Sequence, residues 1–277
     1  MKNSTLILLL VFGFGTYSFA QELEKIKGDR NLTIEQTYID GFKTIVVGED
    51  FNIELFYSKK PSVQIETDSN LHEYIKINVI DSVLTITTSR EISARSLNIK
   101  VNYSNAFSNI EVKDDAEVRS LTSLELTDAS LKTSGSARAY LNIKANSFSF
   151  VSTEKAKVKL NVTATDVALE ISDNTKMDAL INATDMKMDL YQRSSATLEG
   201  TVTNLNLRAD NNSQLNGKNF TTKTCAILTE MNSNIYIDVI DAITIDASGS
   251  SEIYLFGNPK ITLNTFIGTV KLQKKEK

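Results

Sequence analysis

Apolar and polar residues alternate with a period of two over long parts of this chain. In "DMKMDL", residues 185 to 190, Met186, Met188 and Leu190 alternate with Asp185, Lys187 and Asp189, which predicts a strand buried on one face. The same strand is written again at a spacing of 19 residues: "SFSFVS" at 147, "DVALEI" at 166 and "NLNLRA" at 204. The spacing then slips by one residue and recovers, with "TCAILT" at 224 and "AITIDA" at 242. Each block holds a second strand, from "RAYLNI" at 138 through "KVKLNV", "KMDALI", "SATLEG" and "QLNGKN" to "NIYIDV" at 234 and "EIYLFG" at 252.

Between the strands lie "TSGS", "STEK", "SDNT", "ADNNS" and "ASGSS", residues that make turns because Gly, Asn and Asp tolerate left-handed backbone and hydroxyls bond nearby amides. Ser147, Asp166, Asp185, Asn204 and Asp241 stand at the other corner. Pro61 and Pro259 fall outside the repeated strands, as a continuous hydrogen-bond ladder requires. A unit of 19 residues is too small to fold alone, and repeats of this length mark solenoids. The pattern therefore predicts an all-β fold, a right-handed parallel β-helix-like solenoid of about 19-residue coils. At about 4.8 Å between paired strands, some seven coils make a stack on the order of 35 Å. The inward columns run through Phe148, Val167, Met186, Leu205, Cys225 and Ile243, and through Val158, Met177, Ala196, Leu215, Ile235 and Ile253. This places Cys225 as a small buried hydrophobe and the Met residues as core filler rather than metal ligands.

Residues 34 to 103 read differently. "FKTIVVGED", "FNIELFYSKK", "PSVQIETDSN", "YIKINVIDS", "VLTITTSR" and "LNIKVNYSN" are short alternating strands separated by polar turns, which predicts an antiparallel β region. Its expected role is to cover the N-terminal edge of the solenoid, since a bare edge strand templates aggregation. At the other end, "ITLNTFIGTVKLQ" is expected to close the stack or to fold back over its last coils.

The ordered run "FKTIVVGEDFNIELFYSKKPSVQIETDSNLHEYIKINVIDSVLTI", followed by Gly/Ser-punctuated coils such as "LKTSGSARAYLNI" and "IDASGSSEIYL", resembles the auto-transporter adhesin family also called the head GIN domain. The resemblance covers about residues 30 to 260 and departs at "VKDDAEV", where the family would carry a Ser-Gly-Ser-Gly turn. It implies a secreted or surface-associated β-solenoid without known catalysis. The expected organisation is a signal peptide over 1–20, an N-terminal β region over 21–105, solenoid repeats over 106–260, and closing strands with a basic tail over 261–277.

Composition narrows the function. The first twenty residues, with "LILLLVFGF" before Ser18-Phe19-Ala20, read as a secretory signal cut before Gln21, so the protein is expected in the periplasm, at the cell surface or outside the cell. No Cys stands at the expected new N-terminus, Gln21, so no lipid anchor is expected, and no later apolar run reaches the length of a membrane helix. The whole chain carries 30 basic and 34 acidic residues, a net charge of −4, and the one short basic cluster is the tail "KKEK". Nucleic acid is not the expected partner. Cys225 and His72 are each the only residue of their kind, which excludes an intramolecular disulfide and removes most Ser-His-Asp, Cys-His and His-rich zinc chemistries; His72 is expected to be an ordinary half-exposed residue. No cofactor or metal is expected.

Two surfaces carry candidate chemistry. Asp166 and Asp185 occupy equivalent corners of adjacent coils, about 5 Å apart, close to the carboxylate separation of retaining glycosidases. Ser147 and Asn204 share that corner, so turn-making accounts for all four, and catalysis is not expected. Glu154 and Asp173 carry the same two readings, while Asp114 and Asp115, placed in a strand, would point to opposite faces. The outward column Tyr140, Lys159, Asp178, Thr197, Asn216, Tyr236 and Tyr254, with Phe256 two positions on, puts Tyr236, Tyr254 and Phe256 together as a patch for a glycan or an envelope protein. A structural envelope role is the alternative, and oligomerisation is left open.

Overall fold

Alternate residues of a strand face opposite sides, so a repeat that stacks in register turns each inward position into a column. The computed structural model describes residues 25–277, and the expected signal peptide lies outside the described residues. The fold is a β-solenoid of about nine turns at a spacing of about 19 residues, with 65% strand and 2% helix. Phe148, Val167, Met186, Leu205, Cys225 and Ile243 are successive partners in parallel pairings, and none is more than 4% exposed. Val158, Met177, Ala196, Leu215, Ile235 and Ile253 form the second column in the same way.

The tight corner of each coil rests on left-handed backbone, at one residue in most coils and at both Asn211 and Asn212 in one. Asp114, Glu154, Asp173, Gln192, Asn211 and Met231 hold φ between 56° and 66°, and Gly135, Gly249 and Gly268 occupy the same place at 70° to 88°. Such backbone costs a non-glycine residue about 1–2 kcal/mol. What sustains it is the ladder: the Asp114, Gly135, Glu154, Met231 and Gly249 carbonyls each accept an N–H from the next coil at 2.7–2.8 Å. Asp114 supplies the turn where the Ser-Gly sequence is missing. Asp114 and Asp115 therefore lie in a corner and not in a strand. Just past the corner the walls converge, and the column there is small and buried throughout: Ala116, Ala137, Ala156, Thr175, Ser194, Ser213, Ser233 and Ser251. Ser213 bonds Ser233 at 3.2 Å, Ser251 donates to the Met231 carbonyl at 3.0 Å and Thr175 bonds Ser152 at 3.1 Å, while the Ser194 hydroxyl is buried without a partner.

The one-residue slip in the repeat is absorbed as a β-bulge. Thr197 pairs Asn216 but Glu199 pairs Asn219, which leaves Gly217 and Lys218 without partners in the preceding coil; Gly217 still pairs Ile237 in the next, and Lys218 pairs on neither side.

The N-terminal region departs from the antiparallel expectation. Leu32–Tyr38 on Ser62–Asp68, Ser62–Asp68 on Asn98–Tyr103, and Ile75–Ile80 on Val83–Thr88 are antiparallel. Thr44–Val47 and Asn52–Tyr57 instead pair in parallel on both sides, with Val83–Thr88 and Asn98–Tyr103 below and with Asn109–Val112 and Glu117–Ser120 above. The chain thus makes one coil, descends to build the antiparallel cover and a coil beneath, then crosses back at Phe107 to resume the stack. Aromatic rings fill the crossing: Phe42 and Phe107 lie edge to face at 5.5 Å, and Tyr103 is 4.8 Å from Phe107.

At the other end the strands neither close the stack nor fold back over it. Lys260–Phe266 and Lys271–Lys274 add a further parallel layer on Asn234–Ala247 and Glu252–Phe256.

The register makes Met186 a core position with no room for a charge. Met186→Asp is expected to lower stability by several kcal/mol, of order ~3, read as a fall in denaturation midpoint. An unchanged midpoint contradicts the assigned column.

Candidate functional site

Tyr236 and Tyr254 are direct partners in the parallel ladder, and their rings stack at 4.3 Å with an interplanar angle of 13°. The outward column reads as expected, from Tyr140 through Lys159, Asp178, Thr197 and Asn216 to Tyr236 and Tyr254. Phe256 is where the expectation fails. It stands at an outward position, beside Asp238 in the ladder, yet is only 4% exposed. The reason is a roof made by the bulge and the C-terminal tail. The Lys218 ammonium lies 5.9 Å from the Phe256 ring centre, and Lys277 reaches Asp238 at 2.5 Å. The covering element is thus the short basic tail, not the strands before it.

Asn216, Lys218, Tyr236, Phe256, Lys275 and Glu276 enclose a recess of about 410 Å³. Lys275 sits 4.9 Å from the Tyr254 ring centre, within the range of a cation–π contact. No ion pair to Lys218 or Lys275 occurs among the described residues. The Tyr254 hydroxyl donates to the Glu252 carboxylate, which also accepts from Lys271 at 2.7 Å. That hydrogen bond, followed by burial and the Glu252 charge, pushes the Tyr254 phenol up to about 12. Lys271 first, then Tyr254, hold Glu252 below its ordinary value. The site therefore has a stacked aromatic wall, two ammonium groups and the Glu276 carboxylate in its lining, and beside it the Glu252 carboxylate committed to Tyr254 and Lys271.

The carboxylate corner has a different character. Asp166, Asp185 and Asn204 are ladder partners as expected; Asn204 donates its amide to Asp185 at 2.8 Å, and Thr224 donates to Asn204 at 2.8 Å. With Ala168, Lys187 and Ala226 they border a shallow groove of about 650 Å³ along the stack. These bonds tie coil to coil, the work of a corner ladder. At the opposite corner the Glu154 N–H donates to Asp173 at 3.0 Å, again a turn contact. His72 lies in the short helical turn Ser69–Tyr74, 3.0 Å from the Thr33 hydroxyl and 3.7 Å from Glu35, at the N-terminal end and away from the groove. Cys225 is 4% exposed, and burial pushes its thiol up to about 12, so it presents no thiolate. The described residues contain no group of three or more His, Cys, Asp or Glu able to hold a metal. No helix among them is long and apolar enough to cross a membrane.

Lys218 was not legible as a site residue, although the signal that positions it was. The slip between "NLNLRA" and "TCAILT" is the bulge, and bulges re-aim side chains.

The architecture defines the class as a parallel β-solenoid with a lateral recess near one end. The chain matches the family described as "Putative auto-transporter adhesin, head GIN domain" over residues 41–179 and 155–259, and it belongs to that family. No curated protein matches it. Among solved structures, a "putative adhesin" from Parabacteroides distasonis is similar at 16% identity and a TM-score of 0.66, covering 91% of this chain and 100% of that one. A "putative adhesin" from Parabacteroides merdae is similar at 17% identity and a TM-score of 0.61, covering 91% and 99%. A "putative lipid binding protein" from Parabacteroides distasonis is similar at 16% identity and a TM-score of 0.60, covering 91% and 100%. At these identities the likeness is one of fold.

Replacing Glu252 by Gln is expected to let Tyr254 ionise at lower pH, followed by tyrosinate absorbance. The raised phenol pKa means that the contact stabilises the fold fully below the ordinary tyrosine value of about 10 and that this contribution is lost as pH rises toward about 12. Identical titrations of variant and parent contradict the assignment.

Proposed function

We propose that this chain is an exported, non-catalytic adhesion module that binds glycans bearing anionic groups through the Tyr236–Tyr254–Lys218–Lys275 recess. The observation that carries this reading is the pairing of a stacked aromatic wall with two lysines not engaged in ion pairs. Rings supply flat, low-entropy contact area for a sugar face, and the ammonium groups favour a carboxylate, sulfate or phosphate substituent. A recess of about 410 Å³ falls within the 300–1,000 Å³ range of small-ligand sites. Membership in an adhesin family agrees with a binding role. The exported location rests on the leader-like first twenty residues.

The non-catalytic reading follows from the distribution of roles. Asp185 and Asp173 are engaged in coil-to-coil contacts, and the sole imidazole is held at the far end of the stack, so no acid, base and nucleophile converge on one point.

A glycan array containing neutral, uronic-acid and sulfated polymers tests this. Binding is expected to favour the anionic members and to weaken about tenfold, or 1.4 kcal/mol, in each of Tyr236→Ala and Lys218→Glu, while thermal stability stays near that of the parent. The same polymers are expected to be recovered uncut. Equal binding of neutral and anionic glycans, undiminished binding by both variants, or product release that disappears with Asp166→Asn or Asp185→Asn overturns the reading.

A further inference from the structure

Of the two edge strands at the N-terminal end, one carries a charge on its inward face. At the N-terminal end the edge strand Leu32–Tyr38 places Thr33, Glu35 and Thr37 opposite Thr67, Ile65 and Val63. Its inward positions are therefore polar, with a carboxylate in the middle, beside His72 at 3.7 Å. An inward charge on an edge strand blocks pairing with another apolar layer. The far end has no such device. Every residue of Lys260–Phe266 is exposed. Ile261 and Leu263 stack on Ile243 and Ile245, which are 1% and 0% exposed, yet they are themselves 46% and 48% exposed, with Phe266 at 38% and Ile267 at 61%. These are core residues with a layer on one side only. Among the described residues no strand pairs with the outer edge of Lys260–Phe266.

We propose that two copies of this chain join end to end through Lys260–Phe266, each strand pairing antiparallel with its twofold mate. The polar edge Leu32–Tyr38 lies on the wall that ends in Lys271–Lys274 and opposes a head-to-tail stack there, while the N-terminal edge on the wall of Lys260–Phe266 is the apolar Ile75–Ile80; the contact is isologous because Lys260–Phe266 is complementary to itself, and it closes at two subunits. A register centred on Thr262 is self-complementary. It sets Ile261 opposite the mate's Leu263, continuing the inward apolar column, and Lys260 opposite the mate's Asn264. The Asn264 amide donates to Asp246 at 3.2 Å in its own subunit, so each Lys260 arrives beside a carboxylate of the other copy, twice by symmetry. Lys260 is the only charged residue in the strand, and the centred register keeps the two lysines apart. On the other wall, Lys271 is already neutralised by Glu252 at 2.7 Å. This contact does not involve the glycan recess and stands independently of the proposed function.

Thr262→Cys tests the register directly. In an antiparallel pair a residue on the twofold axis faces itself with Cβ atoms about 4.5–5.5 Å apart, within reach of a disulfide after small adjustment. The native Cys225 is buried and leaves the readout clean. Mild oxidation is expected to give a covalent dimer, while Thr201→Cys, exposed on the lateral wall, stays monomeric under the same conditions. Light scattering of the unmodified full chain at about 100 µM, well above a micromolar Kd, is expected to show a dimer, and Leu263→Glu, which copies the inward charge of the blocked edge, is expected to show a monomer with unchanged far-ultraviolet dichroism. A parent protein that is monomeric at that concentration, a Thr262→Cys variant that crosslinks no faster than Thr201→Cys, or a folded Leu263→Glu variant that remains dimeric overturns the proposal.

Discussion

The coil-to-coil hydrogen-bond ladder fixes everything else in this molecule. Parallel pairing keeps each residue above the one a repeat earlier, so side-chain identity at one level decides what the next level meets. The ladder also reaches into the corners. At five of them a left-handed residue points its carbonyl along the stack to the next amide, as Glu154 does to the Asn174 N–H at 2.7 Å. Burial of the apolar columns is the main favourable term, and it holds the strained corners in place on either side. Gly249 shows how tightly the corner is built: a Cβ there would stand 2.7 Å from the Met231 carbonyl oxygen.

The same ladder explains where chemistry gathers. Regular coils display straight, separated columns, which suit a long surface but not a pocket. The irregular coil at 214–229 breaks that monotony. Its bulge lifts Lys218 toward Phe256, the tail lays Lys275 over Tyr254, and the Tyr236–Tyr254 stack, itself a product of exact ladder partnership across 18 residues, forms the wall. A repeat protein gains a local site where its repeat fails.

Much of this was legible in the sequence, because period-two alternation and a fixed spacing determine both which side a residue faces and which residue it meets. That is why the two inward columns, the burial of Cys225 and the neighbourhood of Tyr236 and Tyr254 could be read directly. Alternation says nothing about which strands pair, so the insertion of Thr44–Val47 between Asn109–Val112 and a later strand, Val83–Thr88, was hidden. It also says that Phe256 faces outward without saying what lies on top of it, and the covering tail residues carry no pattern at all. The polar inward face of Leu32–Tyr38 was in plain view as Thr33, Glu35 and Thr37, but its meaning depends on knowing that this strand is an edge.

If ladder register is the organising constraint, the stack should accept the loss of one whole repeat and reject the loss of half of one. Deleting residues 166–184, one repeat at the spacing of about 19, rejoins Asp185 where Asp166 stood and leaves every column in phase; deleting 166–175 sets the strand from Lys176 on the wall of Asp166–Ile171 and puts each later corner on the wrong side of the stack. Denaturant unfolding followed by near-ultraviolet dichroism of the tyrosines compares the two. The account predicts a cooperative transition and a retained tyrosine signal for the in-phase deletion, and neither for the other. Equal behaviour of the two deletions would contradict it.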